Sequence, residues 1–92
     1  MLSGTVAGSY ESESWSLHEE REGRKFVVRQ EFSTPFAETP QVVISFSELD
    51  APSGPLRARV YATDVGRSGF TANIETWADS RLYAAVATWI AY

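Results

Sequence analysis

The chain has 92 residues, 43% of them apolar, with 8 basic and 12 acidic side chains and a net charge of −4. That length predicts one domain over residues 1–92, small enough that self-association is an expected source of stability. The acidic balance argues against a nucleic-acid partner. The absence of cysteine excludes disulfides and thiolate metal sites, and no stretch is apolar and long enough to span a bilayer.

In chain order the sequence reads as short strands separated by turn signals, the pattern of an all-β sandwich or barrel. Gly4–Gly8 is a first short strand or lead-in. The opening MLSGTVAGSYESESW has no basic n-region and no apolar h-region, so no signal peptide is expected. The chain is therefore expected in the cytoplasm, or outside the cell by a route without a classical signal. Ser14–Leu17 is expected as a second extended piece around Trp15. The charged run from His18 to Arg24 reads as a loop or hairpin tip, with His18 as a solvated loop residue.

Lys25–Phe32 alternates as a strand, with Phe26 and Val28 on one face. Pro35 and Pro40 make the following segment a connection, because proline cannot donate to a sheet ladder. Pro40–Leu49 is the clearest strand, Val42, Ile44 and Phe46 alternating with Val43, Ser45 and Ser47. DAPSGP turns the chain at residues 50–55. Leu56–Val65 follows, with Leu56, Ala58, Val60 and Ala62 on one face and Arg57, Arg59, Tyr61 and Thr63 on the other. GRSG at residues 66–69 is a turn.

Gly69–Ala78 puts Phe70, Ala72 and Ile74 on one face and Thr71, Asn73, Glu75 and Trp77 on the other. A large indole thus ends an otherwise polar face, next to the turn residues Asp79 and Ser80. An aromatic platform beside a carboxylate suits a sugar site. It equally suits a ring covering a sheet edge or packing in a subunit contact. Pairing of residues 56–65 with 69–78 through GRSG brings Arg57 close to Trp77 and Asp79. The last strand, Leu82–Tyr92, is apolar on both faces: Leu82, Ala84, Val86, Thr88 and Ile90 on one, Tyr83, Ala85, Ala87, Trp89 and Ala91 on the other. It is expected to face its own core on one side and another subunit on the other.

Catalytic templates fail in turn. His18 is the sole histidine, and neither a G-x-S-x-G elbow, a P-loop nor a G-x-G-x-x-G occurs. Glu19, Glu20, Glu22, Glu75 and Asp79 offer carboxylates for glycoside hydrolysis, but that chemistry needs a cleft that 92 residues rarely build. Neither an enzyme nor a cofactor is expected, and one histidine without cysteine does not make the usual zinc sites.

From Phe32 to Tyr92 the pieces FSTPF, TPQVVISFSELD, LRARVYATDV, GFTANIETWADS and LYAAVATWIAY resemble the H-type lectin domain family in order and spacing. The T-W-x-D/N-S/T element and the closing W-I strand carry most of the specificity. The resemblance implies a six-stranded antiparallel β-sandwich that forms a homotrimer, with the possibility of two trimers stacking as a hexamer. It implies carbohydrate sites at the protomer interfaces, for N-acetylgalactosamine or galactose glycans. Carried over by position, Arg57 is the family's sugar-binding arginine, Trp77 its aromatic platform, Asp79 its Asn/Asp position, and Tyr83 an aromatic reaching the neighbouring protomer's sugar. An acidic residue of the earlier loop falls at Glu20 or Glu22. Two departures stand out: a histidine that a snail member carries after the tryptophan is Ala78 here, and the family's cysteine pair is absent. The first leaves open a structural trimerisation or fibre-tip module without sugar binding.

Overall fold

A computed structural model describes residues 1–19, 24–78 and 80–92; these form six antiparallel strands and no helix. The strands are β1 (Leu2–Ser9), β2 (Arg24–Glu31), β3 (Val42–Asp50), β4 (Ala58–Gly66), β5 (Gly69–Thr76) and β6 (Ala84–Ala91). They pair as two three-stranded sheets, β1-β6-β3 and β2-β5-β4. The inner faces supply the core. Val6, Phe32, Phe70, Ala72, Trp89 and Ala91 pack together, and Trp15, Leu17, Phe26, Ile74, Leu82 and Ala85 form a second cluster.

Room for the indoles comes from β1. A Cβ on Gly4 would lie 2.9 Å from the Trp89 ring, and one on Gly8 would lie 2.8 Å from Trp15 and 2.7 Å from Phe26. Of the two apolar faces of β6, the one with Ala85, Ala87, Trp89 and Ala91 is the core face. Its alanines leave space for the large rings opposite.

Two edge strands carry bulges. β3 slips register between Phe46 and Glu48, and β4 slips between Thr63 and Gly66. The second bulge contains Asp64 at φ 50°, the left-handed region that aspartate tolerates better than most residues. Arg29 of β2 reaches across the sheet and donates from Nη1 to the Asp64 carbonyl at 3.1 Å. The bulge sets the pairing beyond it, so that Thr63 opposes Thr71, Tyr61 opposes Asn73 and Arg59 opposes Glu75. A hairpin continuing without slip from Gly66–Gly69 would place the residues of β4 one position out. Side chains alternate, so Arg59 would then lie on the face opposite Glu75.

The Ser14–Leu17 segment differs from the sequence expectation. It is turn and bend rather than strand, with Trp15 and Leu17 buried as plugs at one end of the sandwich. Trp15 Nε1 donates to the Leu82 carbonyl at 2.9 Å. His18, expected to be solvated, is half-buried, with its ring edge-on to Tyr10 at a centroid distance of 6.4 Å.

Candidate functional site

Antiparallel order places three connections at one end of the sandwich: residues 10–23 after β1, 51–57 after β3 and 77–83 after β5. Hydrogen bonds knit residues 77–83 to the other two. Leu82 N–H donates to Leu17 at 2.8 Å, Tyr10 N–H to Tyr83 at 2.7 Å, and Tyr83 N–H to Asp50 at 2.8 Å. Ser80, buried, accepts from the Arg57 N–H at its Oγ (2.8 Å), and its carbonyl accepts from the buried Arg24 guanidinium of β2. The segment is thus held by its backbone and by the buried Leu82, leaving Trp77 exposed and Arg81 and Tyr83 half-exposed.

Trp77 follows β5 directly and is 42% exposed, the only tryptophan that is; Trp15 and Trp89 are buried. Its N–H approaches the Arg57 carbonyl at 3.4 Å, so the two residues are backbone neighbours, as expected. The Arg57 side chain is exposed and, among the described residues, makes no hydrogen bond or ion pair. Ala78 turns the chain away with φ 57°, a strained backbone for a residue with a Cβ.

Tyr83 lies at the same end in a different group. It meets Tyr10 edge-on at a centroid distance of 6.4 Å, and the Arg81 guanidinium lies 5.9 Å from its ring centre. Tyr10, His18, Asp50 and Tyr83 line a cavity of about 280 Å³ that is largely apolar. Glu20, Glu22 and Asp79 lie outside the described residues.

The polar face of β2-β5-β4 contains a group that the sequence reading did not assemble. Glu75 accepts at Oε1 from Arg59, from Nε at 2.8 Å and also from Nη2, and at Oε2 from the Tyr61 hydroxyl at 2.9 Å. Lys25 Nζ stands 3.9 Å from Oε2. The Arg59 hydrogen bond, then the one from Tyr61, hold the Glu75 carboxyl below its ordinary pKa, against the opposing effect of burial. The Arg59 guanidinium lies 5.4 Å from the Trp77 ring centre and 5.8 Å from that of Tyr61. The signal for this group was the strand register. Direct pairing of Arg59 with Glu75 follows only once the slip at residues 63–66 is known.

This end therefore offers a half-open indole, an exposed arginine on the neighbouring backbone and a separate tyrosine cluster. Together they suit recognition of a ligand with both apolar and hydroxylated faces. No group of three or more His, Cys, Asp or Glu side chains among the described residues could hold a metal. No helix of the described residues is long and apolar enough to cross a membrane.

The fold is similar to two structures of discoidin II from Dictyostelium discoideum, the native recombinant protein and the wild type. Each has a TM-score of 0.81 and 22% identity over 98% of this chain. The chain spans 36% and 35% of those two chains, about a third of their length, so the likeness is one of fold. No curated protein matches. The H-type lectin domain model matches residues 27–92, which include Arg57, Trp77 and Tyr83. With that match running over more than half its length, the chain belongs to the H-type lectin domain family.

Proposed function

We propose that residues 1–92 form one carbohydrate-binding domain that acts multivalently, with Arg57, Trp77, Asp79 and Tyr83 as its sugar-binding residues and Glu20 or Glu22 added from the 10–23 connection. The observation that carries this reading is the exposed Trp77 ring seated beside Arg57 on a backbone-anchored loop. An aromatic face covers the C–H patch of a pyranose, while charged donors and acceptors bond its hydroxyls. Family membership makes N-acetylgalactosamine or galactose glycans the expected ligands. Tyr83 stands apart from Trp77, in the Tyr10 cluster, which fits a site completed by Tyr83 from a neighbouring copy.

A homotrimer, or a hexamer of two stacked trimers, would supply that neighbour. The outward face of β1-β6-β3 supports self-association. Two of its cross-strand rows, Ser3, Ile90, Val43 and Thr5, Thr88, Ser45, hold no charged residue; the next row, Ala7, Val86, Glu48, carries one. Val43 is 54% exposed and Ile90 40%. Three linked sites raise avidity by roughly 10² to 10⁴ without new contacts.

The test is a glycan array read on wild type, Trp77→Ala and Arg57→Ala, with the solution mass measured in parallel. Binding by wild type, lost in both variants at unchanged mass, is the expected result. Equal binding by all three removes the site assignment, and a monomeric mass removes the shared site. Ala78 favours a second reading, because it supplies no side-chain donor where a snail member has histidine. A stable trimer with no heat of glycan binding would establish a structural module instead.

A further inference from the structure

Trp77 lies beyond the last residue of β5, and its ring is exposed. It is held on one side only. The Arg59 guanidinium sits over the ring at 5.4 Å, and among the described residues no other aromatic or cationic group is stacked against it. Arg59 is itself immobilised. Its fork closes on Glu75 Oε1, while Oε2 is taken by Tyr61 and approached by Lys25. Both carboxylate oxygens are therefore committed inside the cluster. The Glu75 side chain is only 16% exposed, unlike the partners of an ordinary surface ion pair. One carboxylate faces two cations here, so positive charge is left over beneath the electron-rich indole.

The geometry points to a positioning role for the Arg59–Glu75 pair: Arg59, fixed by Glu75 and Tyr61, covers one face of Trp77 and presents the opposite face to the sugar. Arg59 and Glu75 do not touch the ligand in this arrangement; they act through the indole. The inference rests on Trp77 being the sugar platform, and the experiment separates the two ideas.

Acrylamide quenching of tryptophan fluorescence in the ligand-free protein reads Trp77, because Trp15 and Trp89 are buried, and Trp77→Phe gives the background. Glu75→Gln and Arg59→Ala are expected to raise quenching, since both uncover the second face of the ring. In wild type the same rise is expected on acidification, with a midpoint below the ordinary carboxylate range; Glu75→Gln abolishes that transition. Loss of the fixed cation from an exposed ring, by removal in Arg59→Ala or by release in Glu75→Gln, predicts a roughly two- to fivefold loss of glycan affinity. Far-UV circular dichroism checks that each variant folds. Arg59→Ala, at an exposed position, keeps the test decisive if Glu75→Gln does not fold. Unchanged quenching in the folded variants overturns the inference. So does unchanged glycan affinity alongside raised quenching. Absence of glycan binding by wild type overturns the sugar platform alone, while the quenching result still decides whether Arg59 holds the ring.

Discussion

The two outward sheet faces have the same strand count and opposite chemistry. On β2-β5-β4 the central residues Thr71, Asn73 and Glu75 are flanked by Lys25, Arg29, Arg59 and Tyr61. Nearly every polar group there has a partner: Asn73 Nδ2 lies 2.9 Å from Thr63 Oγ1 and 3.3 Å from the Tyr61 carbonyl. On β1-β6-β3 the rows through Ile90 and Thr88 hold only Ser, Thr, Val and Ile, and hydroxyls bond one another, as in Thr88 Oγ1 to Ser47 Oγ at 3.0 Å, while Glu48 and Asp50 bring carboxylates to the rows through Val86 and Ala84. The first face is arranged to stand in water and to aim Trp77. The uncharged rows of the second cost less to dehydrate, which suits the surface proposed to meet another copy. Alternation is equally regular on both sheets, so charge rather than periodicity distinguishes a wet face from one available for burial.

The hardest blow to this contrast is Ile90→Arg, which sets a cation in the uncharged rows of β1-β6-β3. Burying it unpaired costs about 3 kcal/mol or more, so association is expected to collapse to a one-chain mass in sedimentation while the monomer keeps its β spectrum. Ser80→Ala works at the hinge between the sheets by removing the acceptor of the Arg57 N–H. A part-buried N–H left without its acceptor predicts a loss of about 1–1.5 kcal/mol in denaturant unfolding. Asp64→Val places a β-branched residue at φ 50° in the bulge that registers the polar face. The expected cost is roughly 1–2 kcal/mol, read as a lower melting temperature. Glu31→Gln touches only an exposed pair with Arg29 at 3.2 Å and should change stability by less than ~0.5 kcal/mol. A larger effect there would mean that the charged face is not simply solvated.

The strands themselves were legible because alternation is a local property: Phe26 and Val28, Val42 and Ile44, and Phe70, Ala72 and Ile74 all lie on the inward faces read from the sequence. The nearness of Arg57 to Trp77 was also legible, since a short turn joins their strands. Trp15 was not. Its neighbours look extended, but its place is set by the gap at Gly8, seven residues earlier, and by the Leu82 carbonyl. Arg24 and Ser80 meet only in three dimensions, one drawn from a charged run and the other from a turn. Alternation already put Arg59 and Glu75 on polar faces, but the GRSG turn continued without a slip pairs Arg59 with Thr76, so their direct pairing depended on the bulge at residues 63–66.

The bulges also bear on how the protein would aggregate. β3 and β4 present broken rungs at their free edges, which spoils them as templates for a foreign strand. β2 is continuous but guarded by the exposed charges of Lys25, Arg29 and Glu31. β1, LSGTVAGS, pairs without interruption over eight residues and carries no charge at all. Heat-driven fibre growth should therefore begin along this first strand, and a lysine at Thr5 or Ala7 that guarded it would charge the same outward face proposed to meet another copy.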